Sequence, residues 1–202
     1  TLKTRVDRTI HDRVSNTRLY RTWVVPGLTD ASAADLDVAA TVFGGLSSSR
    51  LDNALVRGDQ SAVAVTGGYQ PFHRIGQIEF TVDVKEGEDA VAVGKHLDDL
   101  IADYIAKGPT ADEVARVVTG RMAERIRALE PVGGFTGKSV VLAEGELYAN
   151  DPGYYRRELA EYGEATPASV QQTMAKWLSR PVLAITVAPG EREPYAEAAA
   201  TR

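Results

Sequence analysis

Between Arg18 and Val25 the apolar residues Leu19, Trp23 and Val25 share one face of a strand, which Pro26-Gly27 stops. The period then lengthens. From Asp30 to Phe43 the residues Leu36, Ala39, Ala40 and Phe43 recur at helical spacing, and Gly44-Gly45 predicts a left-handed helix end. A short second helix is expected over Ser48 to Arg57. Two strands follow. Ala62 to Tyr69 is irregular, whereas Ile78, Phe80, Val82 and Val84 alternate strictly with Glu79, Thr81 and Asp83. Such a strand keeps one face in the core and the other in water, as antiparallel sheets do.

From Glu88 the pattern is helical almost to the end. Leu97, Leu100, Ile101, Tyr104 and Ile105 form one stripe, closed by Gly108-Pro109. Thr110 and Glu113 form a capping box before a second stripe of Val114, Val117, Val118, Met122, Ile126 and Leu129, which Pro131 ends. A glycine-containing helix is expected over Phe135 to Tyr148, and Asp151-Pro152 and Thr166-Pro167 each predict a further helix start. Val182 to Val187 reads as a last, buried strand, and the residues before Arg18 as a polar extended segment. Regular strand–helix–strand alternation is missing. The expectation is α+β: a two-layer sandwich with a mostly antiparallel sheet and helices packed on one face. Residues 1–190 are expected to form a single domain, and 191–202 a loose tail or linker stub.

The chain has 202 residues, 44% hydrophobic and 25% charged, with no cysteine and a formal charge of −5. That composition suits a globular core and excludes disulfides and thiolate metal sites. The densest basic pair, Arg156-Arg157, adjoins Glu158 and Glu161, so nucleic acid is not an expected partner. No stretch approaches the roughly 18 continuous apolar residues of a membrane span. The charged segment Thr1 to Ile10 lacks a signal core, and its extended character suggests a piece cut from a longer precursor.

Candidate chemistry is sparse. The three histidines, His11, His73 and His96, are too far apart in sequence for a helical zinc pair, which needs two imidazoles one turn apart. His96 is expected on a solvated helix face. Gly133 to Ser139 looks like a phosphate loop, but Val132 stands where its first glycine belongs, and a helix rather than a strand precedes it. Ser47, Ser48 and Ser49 lack a glycine-flanked elbow and read as caps and turns. Glu144 with Glu146, and Asp98 with Asp99, read as surface charge. Tyr148, Tyr154, Tyr155 and Tyr162 read as an apolar seam, or more weakly as a peptide platform. No catalytic, cofactor-binding or metal residue is assigned.

The run Phe43-Gly44-Gly45-Leu46-Ser47-Ser48-Ser49-Arg50-Leu51, followed by Leu55, resembles the second-domain signature of the pitrilysin/insulinase-type zinc metallopeptidases. That superfamily includes mitochondrial processing peptidase and the core subunits of the bc1 complex. Thr110 to Glu113 and Ala165-Thr166-Pro167 resemble the openings of its later helices. The resemblance implies one of four similar α+β domains that close in two halves around peptides. The family's inverted His-x-x-Glu-His motif is absent, so zinc is expected in the catalytic domain of the parent protein and not here. An arginine and a tyrosine that hold substrate elsewhere in the family would fall, by alignment on Leu55, at Val56 and Val63. Arg57 is one residue out of register, about 100° around a helix, and Tyr69 comes too late.

The implied role is a noncatalytic domain that supports the zinc domain and walls a peptide-degrading chamber. The expected partners are that zinc domain, in the same chain or a partner subunit, and peptide substrate. The alternative is a structural or assembly domain without protease activity. A freestanding small enzyme has nothing in the sequence to motivate it. The resemblance suggests the bacterial periplasm.

Overall fold

A computed structural model describes residues 2–134 and 137–192. The expected tail, 191–202, lies almost wholly outside the described residues. Five strands, β1 (Val6–Asp12), β2 (Arg18–Pro26), β3 (Ala62–Pro71), β4 (Ile75–Val84) and β5 (Leu183–Pro189), form one sheet in the order β1-β5-β2-β4-β3. All pairs are antiparallel except β1 with β5. The helices are α1 (Ala33–Ala40), α2 (Ala90–Lys107), α3 (Ala111–Ala128), α4 (Lys138–Ala149), α5 (Tyr154–Glu164) and α6 (Pro167–Trp177). The fold is α+β, with a mostly antiparallel sheet and helices on one face.

The alternation read from the sequence fixes that face. Leu19, Trp23 and Val25 of β2 and Ile78, Phe80, Val82 and Val84 of β4 are all buried. Above them Phe43 meets Phe80 edge-on at 4.7 Å and stacks on Tyr104 of α2 at 4.9 Å. Each such aromatic pair adds about 0.5–1.5 kcal/mol beyond area burial. The Tyr104 hydroxyl donates to the Ala39 carbonyl at 3.1 Å, so its burial leaves no polar atom unpaired.

Several local expectations change. α1 does not end in left-handed glycines. It widens into a π-helical turn, Thr41–Gly45, and neither Gly44 nor Gly45 has a positive φ. A Cβ on Gly44 would lie 2.8 Å from the Gly67 Cα, so the glycine is needed for helix-to-strand approach rather than for chain reversal. The next helix is likewise a π-helical turn, Asp52–Gly58. The polar segment near the start is strand β1, exposed because it is a sheet edge beyond the helical cover. β5, its inner neighbour, is mostly half-buried rather than buried.

α2, closed by Gly108 at φ 71°, and the Thr110–Glu113 capping box form as expected. α5 starts at Tyr154, two residues later than expected, because Asp151 first closes a turn onto the Gly153 N–H at 2.7 Å. The apolar stripe of α3 is buried only at Val114 and Val117. By Ile126, 52% exposed, the helix has left the core. Among the described residues no helix is long and apolar enough to cross a membrane.

Candidate functional site

The departure of α3 from the core opens a cleft of about 680 Å3 between α1, α3, α4, α5 and the end of the β3–β4 hairpin. Its apolar wall includes Leu28, Pro71, Pro131 and Val140. Its polar end is built on Asp37. Arg121 of α3 donates to both Asp37 carboxylate oxygens, at 2.7 and 3.0 Å, to the Thr41 hydroxyl at 2.9 Å and to Glu124 at 3.0 Å. Tyr162 of α5 donates to Asp37 at 2.8 Å. Burial, and then the Asp37 charge, push the Tyr162 phenol well above its ordinary value, so it stays a donor.

Beside this network Glu158 pairs with Arg125 at 3.0 Å. Burial raises the Glu158 carboxyl; Arg125 opposes that rise, and Glu144 and Glu161 add to it. These groups bind one another. A general base needs a free lone pair within reach of substrate, and an oxyanion site needs unspent donors. Asp37 already accepts from three side chains, Arg121, Tyr162 and Thr41, and Arg121 itself donates to three.

Among the described residues no three His, Asp or Glu side chains gather closely enough to hold a metal ion. His11 lies on edge strand β1, against Gly190. His73 sits in the turn between β3 and β4, its ring 5.1 Å from that of Tyr148. His96 on α2 is partly exposed, with its Nδ1 2.9 Å from Asp59. Among the described residues the three histidines do not form a zinc set.

The glycine-rich loop also uses up its own donors. The Lys138 and Ser139 N–H groups donate to the Pro131 and Val132 carbonyls at 2.8 and 3.1 Å, which occupies amides a phosphate would need. Phe135 and Thr136 lie outside the described residues. Ser49 is buried, and its hydroxyl accepts from the Asp52 N–H at 3.3 Å, a local cap. Val56 packs on the core and Val63 is exposed on β3. Arg57 is held by Asp52 and the Ser47 carbonyl, both at 2.6 Å. The Tyr69 hydroxyl donates to the Pro26 carbonyl at 2.9 Å.

Asp98 is more than surface charge: it takes the buried Arg21 of β2 at 2.6 Å and Arg5 at 2.9 Å. Burial works against the Asp98 charge, but Arg21 and then Arg5 hold its carboxyl below the ordinary value. The tyrosines do not form one seam. Tyr154 and Tyr162 share the inward face of α5, while Tyr155 lies about 100° around it. Asp37, Thr41 and Arg121 are not singled out by the sequence pattern. The available signal is a polar pair one turn apart, Asp37 and Thr41, in a helix whose other residues are apolar except Asp35.

Among the described residues no helix packs on the opposite face of the sheet. Residues align across it in rows, Val6–Leu183–Thr22–Glu79–Gly68 and Arg8–Ile185–Tyr20–Thr81–Thr66. Val24 is 54% exposed there.

The profile of the peptidase M16 inactive domain matches residues 1–121. The chain belongs to that family. The resemblance carried by Phe43 to Leu51 is therefore a family relationship, and this M16 inactive domain shares its fold with solved structures at low identity. A protease from Helicobacter pylori superposes with a TM-score of 0.78 at 16% identity, over 91% of this chain and 44% of its own. The peptidase M16 inactive domain from Pseudomonas fluorescens gives 0.74 at 20%, over 96% and 45%. The inactive peptidase domain of a Bordetella parapertussis protein gives 0.75 at 19%, over 93% and 98%. This chain thus spans less than half the length of the first two structures. A search of curated proteins found no match.

Proposed function

We propose that this chain is the noncatalytic domain of a zinc endopeptidase, docking on the zinc-bearing domain and forming part of the wall around its peptide substrate. The observation that carries the reading is the pairing of family membership with a sheet whose second face is uncovered. The length of the H. pylori and P. fluorescens structures adds support, since more than half of each chain lies outside the match. In this reading the chain contributes shape, exclusion of bulk water and positioning of the partner domain, and the hydrolytic ion is held elsewhere. We place the parent in the bacterial periplasm, which fractionation of cells expressing the full reading frame tests.

The function is tested by measuring zinc content and cleavage of an unstructured peptide for this chain and for the full product of its reading frame. Metal and cleavage in the longer product alone is the expected result. Neither in either sample leaves the assembly-domain alternative. Stoichiometric zinc and cleavage by this chain alone overturn both readings.

A further inference from the structure

On the uncovered face, β4 runs between β2 and β3, so Glu79 stands directly between Thr22 and Gly68. One carboxylate oxygen, Oε2, accepts from the Thr22 hydroxyl at 3.0 Å and from the Gln77 amide at 3.1 Å. Those two donors fix the side chain in place, while Oε1 accepts nothing from the described residues. Both donors are neutral. The other carboxylate in this part of the face, Asp83, is already gripped by both arms of the Arg18 guanidinium. Arg8 is three strands away, on β1. Glu79 is thus a positioned, half-buried anion without a cation partner among the described residues.

Gly68 gives it room. A Cβ there would touch nothing within 4 Å, so no close packing explains the missing side chain. What the glycine leaves is a hollow of about 280 Å3, walled by Thr66, Gln70, Gln77 and Thr81, with Glu79 at its side. At about 30 Å3 per water, it holds the head of a long side chain and several waters. Val24 next to Gln77, with Tyr20 and Leu183 nearby, supplies the apolar rim that keeps water from such a contact.

We propose that Glu79, beside the hollow opened by Gly68, receives a lysine or arginine side chain from the domain that packs on this face. The inference rests on the domain-packing reading above and names the contact that reading lacks. A fixed carboxylate with one free oxygen suits a charged donor, and a charge-assisted bond there is about twice as strong as a neutral one. Its removal strands a partly desolvated charge, which acts mainly on dissociation.

The test expresses this chain and the remainder of its reading-frame product as two polypeptides and follows their association by calorimetry. That this chain folds alone is supported by the B. parapertussis domain, solved at nearly the same length. Glu79→Gln keeps size and hydrogen-bonding capacity and is expected to weaken association about tenfold or more, about 1.4 kcal/mol. It should also flatten the salt dependence of binding. Gly68→Leu, which fills the hollow, should weaken association comparably, while Glu86→Gln, on the exposed turn after β4, should not. Thermal melts of each variant check folding. Association unchanged by Glu79→Gln, with Val24→Asp still disruptive, overturns the contact and leaves domain packing standing. No association at micromolar concentrations overturns the packing reading and the contact with it.

Discussion

Arg50 grips the carboxylate of Glu113 with both arms of its guanidinium, at 2.9 and 2.7 Å. The pair ties the Ser-Arg-Leu run after the first helix to the capping box that opens α3, where Glu113 also accepts from the Thr110 N–H at 2.7 Å. Arg50 lies over the Tyr104 ring as well, 4.8 Å from its centroid. One side chain thus joins three elements, which gives the arginine of that run a structural reason.

The pair makes stability depend on pH. Arg50 is the main cause that lowers the Glu113 carboxyl from 4.5 to about 2, with burial opposing it. A depressed folded value stabilises above the unfolded value and is lost as pH falls through the folded one. Stability should therefore fall between about pH 5 and pH 2, by about 1–2 kcal/mol from this site after solvent screening. Urea melts across that range, compared with Glu113→Gln, check it; a variant with an unchanged acid slope removes Glu113 as the cause.

Gly44→Ala should destabilise by about 1–3 kcal/mol, because its Cβ meets strand backbone that cannot yield. Gly68→Ala, in open space, should change stability by no more than about 0.5 kcal/mol. Denaturant midpoints for the two variants give the contrast directly. Equal costs would mean that the helix-to-strand approach is not what selects glycine at 44.

Arg121→Ala strands the largely buried Asp37 and should cost about 2–4 kcal/mol. Tyr162→Phe removes one neutral donor to the same carboxylate and should cost about 1 kcal/mol. Arg121→Met combined with Asp37→Leu should cost less than Arg121→Ala alone, since the unpaired charge is gone. Chemical denaturation of the set measures the coupling, and simple additivity would show that the three side chains do not act as a unit.

Arg21→Met leaves Asp98 with only the more exposed Arg5. The Asp98 carboxyl should then titrate higher than in the parent chain, a shift NMR of the side-chain carboxyl reads. No movement would place the control of Asp98 elsewhere.

Elements that signal through local chemistry were legible in the sequence. The alternation in β4, the Thr110–Glu113 box and the Thr166–Pro167 start all appear where the residues point, because each depends on neighbours within a few positions. The run from Phe43 to Leu55 identified the family for the same reason. Elements whose cause lies far along the chain were not legible. β1 is a strand because β5, some 180 residues later, offers it an edge, and Gly44 is a glycine because Gly67 arrives beneath it. Arg21 sits on an apolar face because Asp98 reaches down from α2. The Asp37–Arg121–Tyr162 network draws on three helices, and the placement of Glu79 on three strands. In each case the sequence supplied the side chains, and only folding decided which charges met, which glycine was crowded and which carboxylate was left facing water.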